Sequence, residues 1–214
     1  MTIPLVVVGC GGHGREMLVT ARALADHAGG PRWRLLGFID DRPSDENLKR
    51  VQRLEVPFLG GLAWLHDAPA DTHHVIGIGD PQVRRAVGER IDQYGTPAAS
   101  LIHPAATIGP DTVHGPGFVA FAGARVTTNV TIGRHVHLNQ NTTVGHDCVL
   151  ADYVSVNPLA AVSGDCHLNA GVLIGTTAAV LQGLTVGRDS VVGAGACVVR
   201  DVHEGAVVKG VPAR

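Results

Sequence analysis

The sequence predicts an α/β Rossmann-like half domain over residues 1–100, followed by an all-β parallel β-helix over residues 101–214. Three observations carry this reading. A glycine loop, Gly9-Cys10-Gly11-Gly12-His13-Gly14, sits between an apolar strand and a helical stretch. A six-residue apolar period starts at Ile102 and runs almost to the end. The composition has 28 glycines and only 4% aromatic residues against 45% hydrophobic ones, which suits a thin, repetitive core better than a bulky sandwich.

In the first half, Leu5–Val8 reads as a buried strand and Arg15–Ala25 as the helix after the loop. Leu35–Ile39 reads as a second strand, stopped by Asp40, Asp41, Arg42 and Pro43. Pro57–Leu59 is a short third strand, His74–Ile78 a fourth, and Pro81–Tyr94 a helix rich in Arg and Glu. Strand, loop and helix in alternation predict a parallel sheet with covering helices. About 100 residues suffice for one mononucleotide-binding half and not for two. The loop fits G-x-G-x-x-G, with Asp40 ending the next strand 26 residues after Gly14. Its glycines let backbone N–H groups approach a phosphate at a helix N-terminus. NAD, a nucleotide-diphosphate sugar, or a tight turn with no ligand all satisfy that pattern.

From Ile102 every sixth residue forms a column in which 16 of 17 members, ending at Val198, are apolar; His114 is the exception. The column four residues on, Ala106 to Val202, holds only apolar or small hydroxyl side chains, and glycine often fills the column after the first. A period of 3.6 cannot produce this, and no long helix tolerates so many glycines. A six-residue period predicts a solenoid with short strands as faces and Gly, Asn or Asp at the corners.

The net charge of −2 with no basic run gives little support to nucleic-acid binding or a membrane-surface role. The N-terminus does not read as a signal peptide, and no apolar run approaches the roughly 20 residues of a spanning helix. Cys10, Cys148, Cys166 and Cys197 lack C-x-x-C spacing, so the expectation is free thiols in a reducing cytoplasm.

If 18 residues make one coil, residues 18 apart stack about 4.8 Å from each other. Cys148 then lies over Cys166 in an inward column, as core thiols. His146 lies outside the apolar columns, with Thr128 one coil before it and Gly164 one coil after it. A neighbour with no side chain leaves space beside the imidazole. Asp147 stacks toward Asp165, and two such carboxylates repel, favouring a proton or cation nearby. On bare chemistry, a histidine at a solenoid corner is more often a solvated residue than a catalyst.

The period, together with the ending Lys209-Gly210-Val211-Pro212-Ala213-Arg214, resembles the hexapeptide-repeat acyltransferases, whose tail is G-x-P-A-[KR]. The segment His146–Tyr153, H-D-C-V-L-A-D-Y, is similar to the H-[DE]-C-x-[IL]-x-x-[FY] signature of sugar acetyltransferases of the sialic-acid O-acetyltransferase-like group. That group includes N-acetyltransferases of nucleotide-linked 4-amino-4,6-dideoxy sugars. The resemblance implies a left-handed β-helix with three hexads per coil and a homotrimer. It implies acetyl-CoA as co-substrate, no metal, His146 as general base and Asp147 as the acid that tunes it. The stretches V-V-G-C-G-G-H-G-R-E and F-I-D-D resemble the nucleotide-sugar loop and second strand end of the same group. By that likeness Gly11, Gly12 and His13 cradle the diphosphate, and Asp40 and Asp41 take the base or ribose. Gly164, Thr176 and Ala194 become candidate pantetheine contacts on the outside of the coils. Relatives often carry a second histidine nine residues after the base, against the thioester. Here that position is Ser155, which offers one hydrogen bond, with His137 one coil before it as a steric substitute.

The expected function is therefore acetyl-CoA-dependent N-acetylation of a nucleotide-linked 4-amino-4,6-dideoxy sugar. O-acetylation of a sugar or sialic acid at the same site is the alternative. A non-catalytic nucleotide-binding scaffold is a remote one. A β-helical zinc hydratase needs a histidine pair five apart that the coils lack, and an NAD oxidoreductase lacks its second half domain.

Overall fold

The computed structural model describes residues 2–27 and 33–214. By internal contacts the chain divides into two compact units, residues 1–79 with 83–101, and residues 102–214 with 80–82.

The first unit is a four-stranded parallel sheet of β1 (Ile3–Val8), β2 (Trp33–Ile39), β3 (Phe58–Gly60) and β4 (His73–Ile76), in the spatial order β3-β2-β1-β4. Apolar β1 is buried from Leu5 to Val8, as a central parallel strand must be. The order reverses at β1, so β2 and β4 diverge from its carboxyl end and leave a crevice there. Helix α1 (Gly12–Asp26) follows the glycine loop, and α3 (Pro81–Ile91) follows β4 with a 3₁₀ turn at Asp92–Tyr94. The sequence reading passed over two elements. Helix α2 (Asp45–Gln52) begins at Ser44, whose hydroxyl accepts from the Asn47 N–H. Its charged face and short length hid its period, although a serine before Asp45-Glu46 is an ordinary helix start. The other is a 3₁₀ helix over Leu62–Asp67.

The second unit begins with two-residue strands at six-residue intervals, from β5 (Leu101–Ile102) to β21 (Cys197–Val198). They stack as three parallel sheets with partners 18 residues apart, such as Thr143 with Ala161 and His137 with Ser155. Both inward columns fill one core, from Phe118 and Ala120 down to Ala196 and Val198. At each corner from Asp111 to Gly195 one residue takes φ between +51° and +75°. Asp, Asn and Gly hold most of these places because they enter the left-handed region at least cost. Glycine after a strand has a different cause. A Cβ on Gly145 would lie 2.5 Å from the Gly164 nitrogen of the next coil.

The period fails once. β22 (Val207–Val208) pairs with Val191–Val192, 16 residues back, and Val202 bridges Val186. Two residues are lost between Val198 and Val202, so Val202 takes a first-column place rather than the fifth-column place that counting gave it.

Candidate active site

In the first unit the crevice at the end of β1 is a cavity of about 920 Å³. Gly11, Gly12, His13, Asp40 and Asp41, singled out from sequence, all line it. Gly9 has φ +104°, which makes the sharp exit from β1. A Cβ on Gly14 would fall 1.9 Å from the Gly9 carbonyl oxygen, so the third glycine lets α1 pack onto the loop. A Cβ on Gly11 would meet nothing within 4 Å, so there the backbone faces open space. Gly11 caps α1 without any side-chain hydrogen bond, and no acidic residue occupies the first turn. The amides at the start of α1 thus lack a side-chain partner at Gly11 and favour an anion.

The two aspartates do more than the sequence indicated. Asp40 accepts from the Cys10 N–H through Oδ2 and from the Arg42 N–H through Oδ1, each at 2.9 Å, so it braces the glycine loop against the end of β2. Asp41 accepts from the Leu62 N–H at 2.8 Å and pairs with Arg90 Nη2 at 2.7 Å. The Leu62 amide, with the Arg90 guanidinium behind it, holds the Asp41 carboxyl below its ordinary value. Each carboxylate keeps lone pairs for a ligand, but each already has a structural task. Burial, with Asp40 nearby, pushes the Cys10 thiol up to about 12, so it stays protonated and unreactive at neutral pH. Sequence reasoning missed Arg90, Asn47, Leu62 and the Gly77-Ile78-Gly79 loop after β4. That second glycine pair was the available signal, since it faces the first loop across the switch point.

In the second unit, β12 (Thr143–Val144) and β13 (Val149–Leu150) flank the corner that carries His146 and Asp147. Asp147 has φ +59°, and its N–H donates to the Thr128 carbonyl at 3.2 Å. The His146 carbonyl accepts from the Asp165 N–H at 2.7 Å. The coils on either side therefore fix this backbone. His146 Nδ1 lies 2.6 Å from Asp147 Oδ2, and Asn129 Nδ2 donates to Asp147 Oδ1 at 2.6 Å. Those two hydrogen bonds, Asn129 first, lower the Asp147 pKa below its ordinary value. An ionised carboxylate only accepts, so in the neutral imidazole Nδ1 carries the proton and Nε2 keeps its lone pair. The ring is 63% exposed.

Two expectations change here. Asp147 is not set against Asp165 as a repelling pair, because its carboxylate turns to Asn129 and His146. The space above Gly164 is not empty either. A Cβ there would lie 2.6 Å from both Cε1 and Nε2 of His146, so the bare Cα is what admits the ring. Cys148 and Cys166 are buried free thiols whose sulfurs reach the Ser163 and Leu181 carbonyls at 3.1 Å.

The remaining candidates are scattered. Ser155, in β14 (Ser155–Val156), is 1% exposed and paired in register with buried His137. Its side chain is therefore enclosed within the chain. Thr176 and Ala194 are exposed and 18 residues apart, but they follow strands of another sheet and lie at a different corner from His146 and Gly164. Among the described residues no cluster of three or more His, Cys, Asp or Glu side chains could hold a metal ion, and no helix is long and apolar enough to cross a membrane.

Known proteins resemble this chain along most of its length. Residues 4–91 match the PglD N-terminal domain family. The GDP-perosamine N-acetyltransferase of Escherichia coli O157:H7 is 29% identical over 189 residues, 88% of this chain and 82% of that protein. Among solved structures, the acetyltransferase domain of PglB from Neisseria gonorrhoeae FA1090 is 31% identical with a TM-score of 0.86, covering 99% of this chain and 98% of that one. PerB from Caulobacter crescentus, solved in complex with CoA and GDP-perosamine, is 28% identical with a TM-score of 0.85 over 99% of this chain and 96% of that one. The expected left-handed β-helix behind a Rossmann-like half domain agrees with these likenesses. Similarity at this level over nearly the full length of both chains makes the protein a member of the hexapeptide-repeat family of nucleotide-amino-sugar N-acetyltransferases.

Proposed function

We propose that the protein transfers the acetyl group of acetyl-CoA to the amine of a nucleotide-linked 4-amino-4,6-dideoxy sugar. The observation that carries this reading is the His146 imidazole, held by Asp147 at Nδ1 and presenting Nε2 over the bare Cα of Gly164. The relatives support it, because PerB was solved with CoA and GDP-perosamine together, and the PglB domain also with acetyl coenzyme A.

The amine nitrogen attacks the thioester carbonyl, the carbon–sulfur bond breaks, and coenzyme A leaves as the thiol. His146 Nε2 takes the proton the amine sheds and returns it to the departing sulfur. General base catalysis of this kind contributes about 10²–10⁴-fold, with positioning of amine against carbonyl supplying the rest. The thioester is already activated, so no covalent enzyme intermediate is required. In the first unit, the amides of Gly11 and Gly12 with His13 hold the diphosphate, and the Asp40–Asp41 end of the crevice holds the base and ribose. That geometry suits a nucleotide handle.

Gly164 flanks the thioester beside His146. Thr176 and Ala194 sit at another corner, so the same pantetheine draws on both corners only when they come from neighbouring copies. Leu181 and Val199, stacked beside the His146–Gly164 column, are 43% and 45% exposed and apolar. A closed homotrimer covers them and brings the two corners together. Location in the cytoplasm, where acetyl-CoA and nucleotide sugars are supplied, fits the free thiols.

The direct test is H146A in an assay of coenzyme A release with an amino-sugar nucleotide. Turnover is expected to fall by about 10²-fold or more while the protein keeps its fold. Undiminished release would remove His146 from the chemistry.

A further inference from the structure

We propose that Asn129 is a positioning residue for this reaction, whose side-chain amide fixes the Asp147 carboxylate in the orientation that engages His146. The inference rests on His146 being the base. Asn129 and Asp147 stand 18 residues apart at the same corner of successive coils, with φ +54° and +59°, so their side chains leave the coils side by side. Each oxygen of the carboxylate has one short partner, Asn129 Nδ2 on Oδ1 and His146 Nδ1 on Oδ2, both at 2.6 Å. Rotating the carboxylate breaks at least one of them. The amide orientation is forced by chemistry, because only the NH₂ end of asparagine donates to an ionised carboxylate.

The backbone cannot do this work. Its groups at the corner are spent on the coils above and below, Asp147 N–H on Thr128 and His146 carbonyl on Asp165 N–H. What remains is rotation of the Asp147 side chain, which is 48% exposed and open to competing water. Asn141 shows that asparagine at a corner need not act this way, since its Oδ1 lies where a Cβ on Gly123 would fall, 2.0 Å from it. Asn129 instead spends its donor on the one carboxylate that touches the imidazole. The titratable groups stacked in this corner column are Asp111, Asp147 and Asp165, with His146 beside them.

The test uses the full chain with acetyl-CoA and an amino-sugar nucleotide, comparing wild type, N129G, N129D and H146A. Glycine holds equivalent corners at Gly117, Gly123 and Gly183, so N129G keeps the backbone while removing the amide. In N129G, kcat is expected to fall about 10-fold with KM for both substrates within about 2-fold, the pattern of a lost transition-state contact. In N129D a second carboxylate faces Asp147, and the acid limb of the kcat profile is expected to move to higher pH. A normal kcat in N129G, or a loss seen only in KM, overturns the proposal. If N129G does not fold, an unmoved acid limb in N129D overturns it instead. H146A separates the two failures. An inactive H146A beside a fully active N129G sinks only the role of Asn129, whereas an active H146A sinks the base assignment and this inference with it.

Discussion

At Gly164 a single hydrogen atom in place of a methyl group decides where the His146 ring can stand. The His146 ring occupies the volume a Cβ would take, 2.6 Å from Cε1 and Nε2. Relieving such an approach means moving the ring away from Asp147, to which it is tied at Nδ1. G164A is therefore expected to swing the imidazole outward and break that tie, reducing kcat by about 10–100-fold, as misplacement by an ångström does elsewhere. Thermal stability should change little, since the ring can rotate into solvent. Steady-state kinetics and a melting curve on the same preparation check this, and an unchanged kcat would show that the ring's place over Gly164 is not the reactive one.

At the scale of elements, two turns do the positioning, a glycine loop in one unit and a solenoid corner in the other. Asp41 clamps the 3₁₀ helix at Leu62 and the end of α3 at Arg90 onto the end of β2. Its pKa is lower folded than unfolded, so its stabilising contribution is complete above the ordinary value of 3.8 and is lost as pH falls below that toward the folded value. The melting-temperature gap between wild type and D41N should stay constant from neutral pH down to about 4 and close only below it. A gap that closes already near pH 6 would show that another group sets it.

These turns differ in how far the residues alone disclosed them. The β-helix was legible because its period is strict, each coil repeating the same burial at the same step. The loop was legible because Gly9 and Gly14 each meet a steric demand of their own, while Gly11 leaves the backbone open to the crevice. Helix α2 was not, because a surface helix of eight residues has little apolar face to show. The shortened last coil was invisible because Val202 is apolar in either frame. Asp147 could be paired with Asp165 on paper because coil register tells which residues are stacked and not which way their side chains turn. The burial of Ser155 escaped for the same reason.

For the whole molecule, one chain combines a crevice suited to a nucleotide with a corner that presents a fixed imidazole. The candidate cofactor contacts fall on two corners of the solenoid, and the proposed trimer would bring those corners to one ligand. Light scattering on the purified full chain is expected to give three protomer masses, with Leu181→Arg at the exposed stripe shifting it toward one and lowering turnover with it. A fully active monomer would contradict that assembly. The account stands most directly on acceptor chemistry. Coenzyme A release should be measured with UDP-, dTDP- and GDP-linked 4-amino sugars, each beside its 4-hydroxy counterpart. Release with at least one amine and with none of the hydroxyl compounds, lost in H146A, is the predicted result; turnover of the hydroxyl acceptors with none of the amines would contradict it.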